Sequence, residues 1–257
     1  MSDNRNVKII ISPAKKMKVR DDHQFSMSEP RYKNKRDVLF NELACMSKEE
    51  LQALYNCSTK TLDPVYDELC RQKSGVLPPL TPALLAYDGI AFQYMAPGIF
   101  SDGEWTYVND HLRILSGMYG ILCPLDGVVP YRLEMGQKLS VSMPHDLGAY
   151  WKETMCEAFK DEVIINLASK EYSSAIPKTC IASMIDVRFF EEDETGKRKE
   201  KGVYAKMARG SMVRYLAQNG IETPEGMKDF AEMGYAYDEE ASTPLCYVFV
   251  RSIRKEG

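Results

Sequence analysis

The chain has 257 residues, 44% of them hydrophobic and 27% charged, with a formal net charge of −4. That length allows one large domain or two small ones around a real core. The acidic balance excludes a uniformly basic nucleic-acid coat, so a polyanion partner has to be met by a local basic patch on an acidic body.

In chain order, VKIIIS (7–12) is a short apolar run ending at Pro13, which suits a buried strand, and the polar, basic loop PAKKMKVRDDHQ follows. Val38, Leu39 and Leu43 recur at helical spacing over 33–45; Ser47 and Glu50 then have the spacing of a capping box. Leu62 to Gln72 reads as a third helix, closing a helical block from about 33 to 73 that forms an appendage or a layer. Trp105–Val108 and Arg113–Leu115 read as short strands, and 147–159 as a helix with Leu147, Trp151, Met155 and Ala158 on one face. VIINLAS (163–169) is a second buried strand. A third runs through TCIASMIDVRFF, turns around Thr195-Gly196 and returns at Val203-Tyr204. A helix over 205–218, a short one from Pro224 and a final strand LCYVFV (245–250) complete the pattern. No repeat, low-complexity tract or linker interrupts it, so the simplest organisation is one mixed α and β domain over 1–257.

Seven cysteines, an odd number with no C-x-x-C pair, read as free, mostly buried thiols in a reducing compartment. The opening MSDNRNVKIIIS has no signal-peptide core, and the longest weakly charged run (80–100) is broken by Pro82, Asp88-Gly89 and Pro97-Gly98. A cytoplasmic protein with no membrane partner is expected. There is no G-x-S-x-G elbow, Walker A loop or H-E-x-x-H, and His23, His111 and His145 lie far apart, so neither a metal nor another cofactor is expected.

What remains is a set of basic residues beside turns and strand ends. Ser12, Lys15 and Lys16 follow the first strand, and the carboxyl ends of strands are where open α/β sheets bind ligands. Asn166, Ser169, Lys170 and Glu171 follow the second, so two such ends can face one cleft. Between them, ILSGMYGILCPLDGVVPYRLEMG (114–136) holds too many Gly and Pro for an unbroken helix or strand. Gly117 and Gly120 there suggest either a tight turn or a helix-hairpin-helix turn whose backbone N–H groups hold a phosphate. Arg132, two residues before Glu134, is either an anion ligand oriented by that acid or half of a structural pair. In YAKMARGSMVRYLAQNG, Lys206, Gly210 and Arg214 fall opposite an apolar stripe with Arg209 at its border, and no acid occurs between 203 and 221. Gly210 is small enough to admit a neighbouring backbone or a ligand. Lys15, Arg132, Lys206 and Arg209 are expected to line one cleft, with Arg113 as a further cation.

ISPAKKM, LRILSGMYGILCPLDGVVPYRLEMG, INLASKEY, YAKMARGSMVRYL, FAEMGYAY and VFVRS occur in this order over essentially the whole chain. Together they resemble the YaaA family of bacterial peroxide-stress proteins. The resemblance implies a compact α/β fold containing a helix-hairpin-helix element and DNA binding through a positive cleft. It also implies a role in lowering free iron and so limiting oxidative damage. The partner is then DNA or another phosphate-bearing ligand, bound by a monomer. Two positions depart from the family pattern: Cys123 stands where Arg is usual, and Tyr94-Met95 where Gly-Leu is usual. Cys123, beside the hairpin, is either an ordinary replacement or a redox-sensitive thiol. An enzyme acting on a nucleotide or small anion in the same cleft, with Lys15, Arg132, Glu134, Lys206 and Arg209 as its groups, is the competing expectation.

Overall fold

The computed structural model describes residues 7–139 and 146–252; the opening hexapeptide and His145 lie outside them. The apolar runs form the strands of one sheet. β1 (Val7–Ile11), β3 (Leu112–Ser116), β6 (Val163–Asn166), β7 (Ser183–Glu192) and β10 (Cys246–Ser252) pair side by side in the order β3-β1-β6-β7-β10. All four of these pairings are parallel. Antiparallel strands finish the two edges, β4 (Gly120–Leu122) on β3 and β9 (Ala236–Tyr237) on β10, and β8 (Arg198–Lys199) pairs antiparallel with the end of β7. A separate short pair joins β2 (Thr81–Pro82) to β5 (Gly127–Val128). Numbered along the chain, the five parallel strands stand in the order 2-1-3-4-5 of a doubly wound sheet.

The early helical block is a layer, not an appendage. α1 (Lys33–Cys45), α2 (Lys48–Tyr55) and α3 (Thr59–Lys73) insert Leu39, Leu43, Leu51, Tyr55 and Leu62 into the same core as β1 and β6. The expected capping box starts α2: Ser47 Oγ accepts from Glu50 N at 3.2 Å and Ser47 N donates to Glu50 Oε2 at 2.7 Å. Two short helices follow, α4 (Ala83–Ala86) and α5 (Ile90–Met95).

Three local expectations are corrected. Trp105–Val108 is not a strand but the middle of α6 (Asp102–His111). Its two buried residues, Trp105 and Val108, are spaced i,i+3, and Ser101 with Glu104 forms a second capping box upstream. The strand returning from the Thr195-Gly196 turn is Arg198–Lys199, held by the ion pairs of Arg198 with Glu192 (2.7 Å) and Asp238 (2.6 Å). Val203-Tyr204 instead opens α9 (Gly202–Asn219). The thiols are also not all free: Cys156, in the last turn of α7 (Leu147–Ala158), is bonded to Cys180 just before β7. Cys45 and Cys70 are exposed and Cys57, Cys123 and Cys246 are half-buried.

The segment 114–136 is the inner spine of the molecule. Its Gly117–Gly120 turn joins β3 to β4, so it is a strand hairpin and not a helix-hairpin-helix turn. The reason is burial: residues 114–122 are all buried, with helix α7 on one side and the 133–134 backbone on the other. A Cβ on Gly117 would lie 2.6 Å from Leu133 O, and one on Gly120 (φ +73°) 2.6 Å from Trp151 Cε3. Trp151 Nε1 donates to Gly117 O at 2.8 Å. Beyond the hairpin, the Tyr131 hydroxyl sits 2.7 Å from both Ser116 Oγ and the Tyr87 hydroxyl, a satisfied polar chain inside the core.

α9 is buried on more than one side, because Gly210 lets α5 cross against it. A Cβ there would stand 1.9 Å from Ala91 O. Gly210→Ala is therefore expected to destabilise by about 2–3 kcal/mol through overpacking. Gly103→Ala, where a Cβ meets nothing within 4 Å, should be neutral or stabilising, since alanine is the better helix residue by up to about 1 kcal/mol. Urea unfolding of both variants measures the contrast. The Cys156–Cys180 bond closes a loop of sequence separation 24, so reduction should cost about 3.5 kcal/mol by the chain-entropy relation. Equal urea midpoints for oxidised and reduced protein would show that the bond contributes nothing.

Candidate functional site

In a 2-1-3-4-5 sheet the chain leaves the first and third parallel strands in opposite directions, which opens a crevice at their carboxyl ends. Here those strands are β1 and β6. Their ends are joined at Ser12 and Ser169: Ser169 N donates to Ser12 Oγ at 2.8 Å, and Ser12 Oγ donates to Ser169 Oγ at 3.2 Å. Leu167 N donates to Ile10 O at 3.0 Å, extending the strand pairing one step further. Beside this joint lies an open cleft of about 1230 Å³. Its walls are the first turns of α7, the short helix α8 (Lys170–Ser173), the loop 174–179 and the facing residues of β6, β7 and α9. The Cys156–Cys180 bond ties two of these walls together behind the cleft.

The acids of the cleft are held within the protein. Asp186, register partner of Asn166, accepts from Asn166 Nδ2 at 2.7 Å, and Asn166 Oδ1 in turn accepts from Ala168 N at 2.9 Å. Glu171 Oε1 accepts from Gly136 N at 3.1 Å, and Asp146 caps α7 through Ala149 N at 3.0 Å. Glu200 lies between two arginines, Arg188 at 3.0 Å and Arg209 at 3.4 Å. Burial pushes the Arg209 guanidinium below its ordinary value, with Glu200 acting the other way. Lys152, Lys170 and Lys178, all exposed, also line the cleft, and among the described residues they have no carboxylate partner. The cleft therefore presents five cations against four acids, and the acids already have partners.

The residues singled out in the sequence divide into groups. Asn166, Glu171 and Arg209 line the cleft, and Ser12 reaches it through Ser169. Lys15, Lys16 and Arg132 line a neighbouring hollow instead. Glu134 stands between the two: it takes Lys15 in an ion pair at 2.9 Å and is followed by Met135 and Gly136, which line the cleft. Arg132 and Glu134 are thus not a pair with each other. Lys16 and Lys18 both pair with Asp88, at 3.1 and 2.9 Å, which draws that carboxyl below its ordinary range.

Lys15, Arg132, Lys206 and Arg209 do not share one cleft. Lys206 is exposed on α9 and lines neither hollow. Arg214 faces α6, where hydrogen bonds from Ser101, with the Arg214 charge nearby, hold the Glu104 carboxyl below its ordinary value. Arg113 donates to the carbonyls of Asn109 (2.8 Å) and Leu112 (2.7 Å), closing the end of α6. Gly117 and Gly120 lie under the core, and Tyr119 N inside their turn already donates to Ser116 Oγ, so no N–H nest faces solvent. Burial pushes the Cys123 thiol up, with Arg113 opposing, which keeps it protonated and argues against a reactive sensor there.

Lys152, Lys178, Asp186, Arg188 and Glu200 were not singled out in the sequence. Asp186 and Arg188 sit in a run that reads only as a strand, and their role at the cleft follows from the β6–β7 register. Among the described residues no helix is long and apolar enough to cross a membrane.

Comparison with known proteins agrees with the order of motifs. The family described as peroxide stress protein YaaA matches residues 7–241. A UPF0246 protein of Agathobacter rectalis is 45% identical over 251 residues, spanning 96% of this chain and 100% of the relative. UPF0246 proteins of Desulfitobacterium hafniense and Lactiplantibacillus plantarum are each 42% identical, over 253 and 248 residues, spanning 97% and 95% of this chain and 100% and 99% of the relatives. With the family pattern running through β1, the 114–136 spine, both strand ends at the crevice and α9, the chain belongs to the YaaA family of peroxide stress proteins.

Proposed function

We propose that the chain serves the peroxide stress response by binding the phosphate backbone of DNA, without sequence preference, in the carboxyl-edge cleft. The observation that carries this reading is the charge arrangement: the acids of the cleft are internally bonded, while Lys152, Lys170 and Lys178 face solvent with no carboxylate partner among the described residues. Three solvent-facing lysines on a chain of net charge −4 are a local set of the kind that phosphate contacts use. The set offers no edge-reading element in a groove, so the contacts position the protein and do not specify sequence.

The same reading extends to limiting iron-driven damage at DNA. Duplex DNA carries condensed counterions, and each phosphate neutralised by a lysine releases them. Ferrous ions held at DNA give one electron to hydrogen peroxide, becoming ferric and releasing hydroxide and hydroxyl radical at the point of damage. A lysine-lined cleft seated on the backbone removes them from that point.

A second reading keeps the same site for a small anionic substrate. It is favoured by the Ser12–Ser169 joint and the Asn166–Asp186 pair lying where doubly wound sheets bind nucleotides.

Gel or filter titration with a random duplex separates the two. A cleft meeting roughly three to five phosphates should lose on the order of a hundredfold in affinity between about 50 and 200 mM salt. Lys170→Ala and Lys178→Ala should each weaken binding to all sequences alike and make the log–log salt slope shallower by about one. Lys206→Ala, outside the cleft, should bind like the parent. Binding that is indifferent to salt and to the cleft lysines, yet displaced by inorganic phosphate, would leave the small-anion reading standing and end the DNA one.

A further inference from the structure

A second hollow of about 500 Å³ opens between α1, α3 and the chain at 130–132. Its wall is apolar, built from Phe40, Leu43, Val65, Leu69, Met118 and Pro130. Sites of roughly 300–1000 Å³ with an apolar lining and a few placed polar groups are the usual form of small-molecule pockets. The hollow is a different place from the cleft, separated from it by the Lys15–Glu134 ion pair.

The charges around it are unequal in their commitments. Lys15 and Lys16 are held by Glu134 and Asp88, and Arg71 by Glu68. Glu68, the one acid among the lining residues, also accepts from Gln72 Nε2 at 2.9 Å. Arg132 alone of the four cations has no carboxylate partner among the described residues. Its Nε is buried with no hydrogen-bond partner, and its guanidinium lies 5.7 Å over the Tyr55 ring. The guanidinium fork matches a carboxylate through two parallel hydrogen bonds.

We infer that this hollow binds a small amphipathic carboxylate, its apolar body against α1 and α3 and its carboxylate on Arg132. The inference does not rest on DNA binding at the cleft. An apolar occupant is required because the wall offers few polar partners; a single negative charge is required because only one cation is uncommitted.

Decanoate serves as the probe, with 8-anilinonaphthalene-1-sulfonate as fluorescent reporter and N-phenyl-1-naphthylamine as its uncharged counterpart. Both reporters should bind saturably, and decanoate should displace them. Arg132→Met, which keeps the volume and removes the charge, should weaken the sulfonate and decanoate by about tenfold or more while sparing the neutral reporter. Val65→Trp, which fills the hollow, should abolish all three. On the unaltered protein, a diazirine analogue of decanoate should label the α3 segment 61–72, a readout that needs no variant to fold. Absence of saturable binding, equal losses of charged and neutral reporters in Arg132→Met, or labelling elsewhere would overturn the inference.

Discussion

β1 pairs in parallel with β3 on one side and β6 on the other, and this double pairing is the constraint on which the rest depends. A strand that is central and parallel on both edges is expected to be largely apolar on both faces, and VKIII is so except for Lys8, which is half-buried. Its neighbours in the sheet come from residues about 100 and 150 positions later, so the chain must cross over in both directions. The crevice at Ser12 and Ser169 is the geometric consequence. The cleft is thus a product of topology first and of side chains second.

The 114–136 spine makes that topology rigid. It turns at two glycines so tight that the Leu133 backbone and the Trp151 ring occupy the space a Cβ would need. It then runs back through Tyr131, whose hydroxyl closes a buried chain with Ser116 and Tyr87, and ends at Gly136, whose N–H holds Glu171 at the cleft. Large buried polar networks hold a unique arrangement only when every member is bonded, and this one is. The segment also separates the two hollows, one charged and open, the other apolar with a single uncommitted guanidinium.

Much of this was legible in the residues. Apolar runs bounded by Pro, Ser and Gly located β1, β6 and β10, and helical spacing located α1, α7 and α9 within three residues of their ends. The two strand ends that meet, Ser12 and Ser169, were visible as polar clusters after buried runs. What stayed hidden depends on distant partners. No local pattern tells that Gly210 faces Ala91, that Asp186 stands in register with Asn166, or that Cys156 reaches Cys180. The Gly-x-x-Gly at 117–120 misled for a related reason: two glycines serve a helix turn or a strand turn equally well, and only the burial of their flanks decides. The basic residues of α9 misled because a one-sided wheel assumes one packing neighbour, and α9 has both the sheet and α5 against it.

The central claim is that the carboxyl-edge cleft is the surface this protein uses on DNA. Backbone hydrogen exchange, followed with and without a short random duplex at low salt, tests it most directly. Slower exchange at 146–152, 168–179 and 186–188, together with unchanged exchange along α1 and α3, is the predicted result. Protection confined to other faces, or none at all where the duplex is demonstrably bound, would contradict it.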